Sequence, residues 1–249
     1  MSPAADPWFW AVALPAVLLS GLSKGGLGGA GATATPLLAL VLPPGQAAAI
    51  MLVVLCVLDI FGIRAYLWRW DRHVLSVIVP AGLVGCAVGA VTFRYADENW
   101  IRILIGVIVL GYLAWSLYPR KIASGKPSDA AGWLWGAVSG FASFITHSGS
   151  PPLMVYLLPQ RLEKDVFIAT CLVYFAAMNY AKILPYLWLG LLDLRSAGAA
   201  LALVPAGVAG IYLGMWLQRR VDVRWFYRML YFLFFFTGAK LLYDGVAGL

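Results

Sequence analysis

Residues 79–89 read VPAGLVGCAVG and residues 204–214 read VPAGVAGIYLG, so one pattern, V-P-A-G-x-x-G-x-x-x-G, returns after 125 positions. The register extends outward: Ser20-Gly21 matches Ser139-Gly140, Pro36 matches Pro152, Pro43 matches Pro159, Tyr66-Leu67-Trp68 matches Tyr186-Leu187-Trp188, and Trp100 matches Trp225. The chain therefore reads as a duplication: a single membrane domain over 1–249, made of repeat 1 (1–118), a polar linker (119–131) and repeat 2 (132–249). Internal repeats are a mark of secondary transporters, whose substrate site lies between the two repeats.

Composition places the chain in the bilayer. It is 62% hydrophobic and 12% charged, with mean hydropathy +0.85, whereas about a quarter of the residues of a soluble domain are charged. Apolar runs at 47–67, 74–93, 100–118, 166–189, 196–217 and 225–247 each approach the ~20 residues that cross the hydrocarbon core. The fold class expected is an all-α integral membrane protein of about 8–10 membrane elements. Residues 1–7 lack a basic n-region, so the N-terminus is expected to be retained. Net charge is +7, but the basic residues cluster in short loops between runs, which membrane orientation explains better than a nucleic-acid surface, and no nucleic-acid partner is expected. Cys56, Cys86 and Cys171 all fall inside apolar runs, where packing explains them.

Two apolar regions, 8–43 and 132–159, are interrupted, the first by SGLSKGGLGGAG (20–31) and the second by SFITHSGS (143–150). These read as broken helices. Thr35-Pro36 and Ser150-Pro151 look like an N-cap followed by proline at the first helical position, which starts short helices at 36–42 and 151–158, about 11–12 Å long. If each broken pair enters and returns on one side, three full crossings remain per half and the second repeat is inverted. The basic residues then divide as Arg69, Arg72, Arg120, Lys121, Lys126, Arg161, Lys164, Arg219, Arg220 and Arg224 on one face, against Arg94, Arg102 and Arg195 on the other. A parallel repeat spreads the same residues evenly. Positive-inside bias selects inverted repeats, with both termini outside the cytoplasm and the linker inside.

In that arrangement the two short helices begin near the membrane centre, and their unpaired N–H groups form an anion site. Gly25, Gly26, Gly28, Gly29 and Gly31, with Gly149 in the second break, read as allowing close approach of backbone to ligand. Gly82, Gly85, Gly89, Gly207, Gly210 and Gly214 are spaced for helix crossing. Lys24 and Lys182 are the candidates to neutralise a small anion; Asn179 shares a helix face with Lys182 and aligns with Asp59. Asp59 is read as the partner of Lys24, Arg64 or Lys182 in an ion pair, or as a proton carrier. His147 is either a proton-coupling group or a neutral imidazole that donates to a backbone carbonyl. Thr33, Thr35, Ser148 and Ser150 can donate to an oxyanion, and Thr35 and Ser150 are expected to cap the short helices. His73 is expected in a cytoplasmic loop, and many of the eleven tryptophans flank span ends as interfacial anchors. No metal or cofactor motif is present in the sequence.

The pattern S-G-L-S-K-G-G-L-G-G-A-G, its partner S-G-F-A-S-F-I-T-H-S-G-S-P-P and the length together resemble the TauE/SafE sulfite exporter family. The resemblance implies a carrier in the bacterial inner membrane, with membrane lipid around it, for sulfite or a small organosulfur anion such as a sulfonate, often working as an exporter. His147, Ser148 and Ser150 depart from a glycine-rich second break. The alternatives are a non-transporting membrane component, an enzyme of sulfur metabolism using Cys171 with His147, and an anion channel.

Overall fold

The computed structural model describes residues 6–27, 30–65, 69–118, 127–192, 194–217 and 223–249. Gly28, Gly29, the Tyr66-Leu67-Trp68 match, most of the linker, and Arg120, Lys121, Lys126, Arg219 and Arg220 lie outside these residues. The described residues form ten α-helices: α1 (Pro7–Lys24), α2 (Ala34–Leu38), α3 (Pro44–Ala65), α4 (Arg72–Tyr95), α5 (Glu98–Leu117), α6 (Asp129–Thr146), α7 (Ser150–Leu157), α8 (Lys164–Trp188), α9 (Leu194–Leu217) and α10 (Val223–Ala247). Described stretches of α3, α4, α5, α8 and α9 are long and apolar enough to cross a membrane. The sixth expected span, 225–247, is α10, a helix of 25 residues.

Several long helices start on a capping side chain. Asp6 accepts from the Trp8 N–H at 2.9 Å, Asp71 from Val74 at 2.9 Å, Asp97 from Trp100 at 2.9 Å, and Ser128 from Ala131 at 3.3 Å. Each satisfies an orphan donor, and each aspartate sets a negative charge at the positive end of a helix. The short helices start differently. Neither Thr33 before α2 nor Gly149 before α7 makes a side-chain cap. This corrects the expectation for Thr35 and Ser150: Thr35 lies inside α2, and Ser150 is the first residue of α7. Both helices begin one or two residues earlier than their prolines suggest, because a 3-10 turn at Ala30–Thr33 and the N-cap Gly149 lead into them.

The repeated glycine motif is a docking stripe. On α4, Gly85 and Gly82 meet the backbone of Ala137 and Gly140 on α6, and Gly89 faces the Phe144 side chain. On α9, Gly207, Gly210 and Gly214 lie against Val17, Gly21 and Gly25 of α1. A methyl group at Gly21, Gly25, Gly85 or Gly140 would overlap a carbonyl oxygen of the neighbouring helix. Small residues of this kind let helix backbones approach in lipid, where no hydrophobic force drives them together. The far side of the α4 stripe carries exposed Val84, Val88 and Val91, an apolar face suited to acyl chains. Gly25, read from sequence as a ligand-approach residue, belongs to this packing instead.

The register of these contacts fixes directions. In both α1 with α9 and α6 with α4 the residue numbers rise together, so each pair is parallel; α5 and α10 are antiparallel, with Gly106 near Leu242 and Gly245 near Ile103. The broken helix of each half therefore docks on the other half. Each break is a hairpin. Gly149, at the tip, accepts from Ser139 Oγ at 2.6 Å through its carbonyl, while Tyr156 near the end of α7 reaches Gly132 near the start of α6. One face of the bundle gathers the starts of α4, α6 and α8: His73 Nε2 is 3.2 Å from Asp129, and Arg69 donates to Asp165 at 2.6 Å. His73 is thus the second residue of α4 and not a loop residue.

Candidate functional site

The tips of the two hairpins meet. Ser148 Oγ, in the second break, donates to the Ala32 carbonyl in the first at 2.7 Å, and Ser148 N–H is taken by Thr146 Oγ1 at 3.1 Å. Two residues with positive φ turn the chain at the ends of the incoming helices: Gly26 at 121° and His147 at 54°. Glycine adopts this region freely, whereas histidine is held there by its contacts. Its N–H closes the last turn of α6 on Ser143 O at 3.0 Å.

Beside the junction lies a cavity of about 410 Å³, within the ~300–1,000 Å³ typical of ligand sites. Its polar wall is Ser20, Ser23 and Lys24 from α1, Ser143 from α6, His147 and Ser150 at the second break, and Asn179 from α8; Gly26 and Gly31 border it at the first break. Apolar residues Met154, Leu158, Phe167 and Ile168 continue the wall along the end of α7 and the start of α8. The cavity therefore extends toward the face that carries Arg69 and Asp165. Past His147 the way is filled by aromatic rings: Phe144 packs edge-on to Phe93 at 6.3 Å and to Tyr186 at 5.1 Å, and the Tyr186 hydroxyl donates to Phe144 O at 2.8 Å.

Two charged assemblies border the cavity. In the first, the Lys24 ammonium donates to Asp59 on α3, and Asn179 Nδ2 donates to the other carboxylate oxygen at 2.8 Å. Asp59 is fully buried and takes Lys24, not Arg64 or Lys182, as its partner. Asp59 and Asn179, aligned in the duplicated sequence, thus touch across the halves. In the second, the buried Lys182 donates to Ser143 O at 3.0 Å, to Ser143 Oγ at 3.1 Å and to His147 Nδ1 at 2.7 Å. His147 Nε2 lies 2.9 Å from Ala48 O. A carbonyl only accepts, so Nε2 carries the hydrogen and Nδ1 is free to accept from Lys182. Lys182 stands one layer behind the wall and reaches the cavity only through Ser143 and His147.

Of the other sequence-derived candidates, Thr33 donates to Ala30 O at 2.6 Å, and Thr35 is buried, its hydroxyl without a partner among the described residues. Neither borders the cavity. Gly149 packs on Ser139 and Ser143. The start of α7 offers few donors, because Pro151 and Pro152 carry no N–H. Sequence reasoning passed over Ser20, Ser23 and Ser143 as site residues. Ser20 is buried, its hydroxyl has no partner among the described residues, and it borders the cavity. The i, i+3, i+4 spacing of Ser20, Ser23 and Lys24 on one helix face carried that signal.

A cavity with one polar wall thus lies at the junction of two broken helices in an apolar helical chain. The family model described as Sulfite exporter TauE/SafE matches residues 13–241, nearly the whole chain. The chain belongs to the TauE/SafE sulfite exporter family. This is a family of membrane transporters and not of enzymes, and the matched span contains both breaks, both glycine stripes and every residue of the two charged assemblies. TauE/SafE membership and the apolar helices together make the chain a multi-pass membrane protein. No curated protein and no solved structure matches the chain closely enough to add a relative.

Proposed function

We propose that the protein is a secondary transporter of sulfite or a small organosulfur anion, working as an exporter in a bacterial inner membrane. The cavity at the hairpin junction carries this reading: an ammonium, an amide and a buried hydroxyl with no partner among the described residues (Lys24, Asn179 and Ser20) line one space large enough for a small oxyanion. Ser23 and Ser150 add hydroxyls to that wall, and Gly26 borders it.

Repeats 1–118 and 132–249 are inverted in this reading, with 119–131 and the basic face in the cytoplasm and both termini outside. The Arg69–Asp165 link supports it, since it joins the chain just past α3 to the first turn of the counterpart helix α8. Alternating access follows from rocking of the halves across the α1–α9 and α4–α6 seams. The cavity reaches toward the basic face while Phe93, Phe144 and Tyr186 close the opposite side. A space closed at one end favours a carrier over a channel. His147, whose Nε2–H donates to Ala48 O and whose Nδ1 accepts from Lys182, is the group that takes up a coupling proton in this reading.

The test is sulfite flux from loaded proteoliposomes. Saturable, substrate-dependent flux is expected, with a loss of at least about tenfold in Lys24→Ala. Flux and affinity unchanged in that variant would remove Lys24 from the site, and flux that never saturates would favour a channel.

A further inference from the structure

Both oxygens of the Asp59 carboxylate are engaged within the protein, one by Lys24 and one by Asn179. The Lys24 charge is therefore already answered, and Lys24 serves a ligand as a hydrogen-bond donor and not as a net charge. His147 is neutral, because its Nδ1 accepts from the Lys182 ammonium while Nε2–H donates to the Ala48 carbonyl. The serines on the wall are uncharged. Lys182 differs from all of these: it is fully buried, it faces three neutral acceptors, the number of N–H groups that an ammonium carries, and it has no carboxylate partner among the described residues. A buried charge without a counter-ion is costly in a membrane interior. All three acceptors belong to Ser143 and His147, both of which are cavity wall.

We infer that the site holds one net positive charge, that of Lys182, and so selects a monovalent sulfur oxyanion, a sulfonate or hydrogensulfite, over a divalent one such as sulfate. This rests on the transport reading above and names the charge class of its substrate. A monoanion in the cavity supplies the counter-charge that Lys182 lacks. A dianion brings a second negative charge that nothing in the wall answers, and in a low-dielectric enclosure that excess is strongly unfavourable.

Methanesulfonate and sulfate are both sulfur oxyanions and differ by one charge at neutral pH, so their affinities for the purified protein, read by calorimetry or thermal shift, test the count. Wild type is expected to bind methanesulfonate at least about tenfold more tightly than sulfate. Asp59→Asn leaves Lys24 unanswered, raises the net charge by one and is expected to shift the ratio toward sulfate by about tenfold or more. The double variant Lys24→Gln/Asp59→Asn restores a single charge, and the ratio should return toward that of wild type. A merely structural role for the pair does not produce that return. Should Asp59→Asn not fold, Lys182→Gln carries the test by removing the counted charge, with an expected loss of about tenfold in methanesulfonate affinity. Equal wild-type affinities, a ratio unmoved by Asp59→Asn, or an unchanged affinity in Lys182→Gln would each overturn the charge count while leaving the transport reading standing. Binding of no sulfur oxyanion at all defeats both.

Discussion

The two breaks occupy matching places in the duplicated sequence but solve the same physical problem with different chemistry. The first is rich in glycine and puts its lysine on the incoming helix, where Asp59 answers it directly. The second is rich in hydroxyls, turns on a histidine in a left-handed conformation, and takes its lysine from a neighbouring helix. The position matching Lys24 is Ser143, and Ser143 is a ligand of Lys182. The two breaks thus present different charges beside one cavity.

If the hairpins are equivalent as scaffold, they should fail together. Gly21→Val and Gly140→Val each drive a branched side chain into a carbonyl of the docking helix, and each is expected to cost more than about 4 kcal/mol and to abolish recovery of folded protein. Size-exclusion profiles after detergent extraction would show it. A tolerated change in one half only would break the equivalence.

As charge sites the breaks should behave differently. Lys24→Met strands the fully buried Asp59, and the expected loss is about 3 kcal/mol, the lower end for a broken buried pair because Lys24 borders a cavity that water can reach. Adding Asp59→Leu to Lys24→Met should recover most of that stability in thermal denaturation. Lys182→Met strands no carboxylate, so its stability should stay within about 1 kcal/mol of wild type, while sulfite flux falls by about tenfold or more. A large stability loss in Lys182→Met, or none in Lys24→Met, would erase the distinction. The smallest effect concerns the join between the tips: Ser148→Ala deletes the bond to Ala32 O and should lower the melting point by the equivalent of about 1 kcal/mol.

Much of this was legible in the chain. The glycine spacing in VPAGxxGxxxG announced helix docking, because three glycines on one helix face have few other uses in an apolar run, and the broken helices were legible from hydroxyls, glycines and prolines inside runs that should be continuous. The pairing of Asp59 was not. Lys24, Arg64 and Lys182 were equal candidates until the fold put the end of α1 beside α3. The starts of α2 and α7 were misplaced because Thr35 and Ser150 look like caps, whereas the hairpin turn and a 3-10 segment do the capping work without a side chain. Ser20 was passed over although it shares a helix face with Ser23 and Lys24, and the cavity beside them shows that the three belong to one wall.

Because α1 docks on α9, α1 must wait for a helix made far later in the chain. Some 190 residues separate their middles, roughly 10–40 s of synthesis. Through that interval the glycine face of α1 meets only acyl chains, whereas α6 finds α4 already inserted. Assembly is therefore expected to proceed from the middle of the polypeptide outward, and the two halves produced as separate polypeptides should be degraded singly and survive when made together.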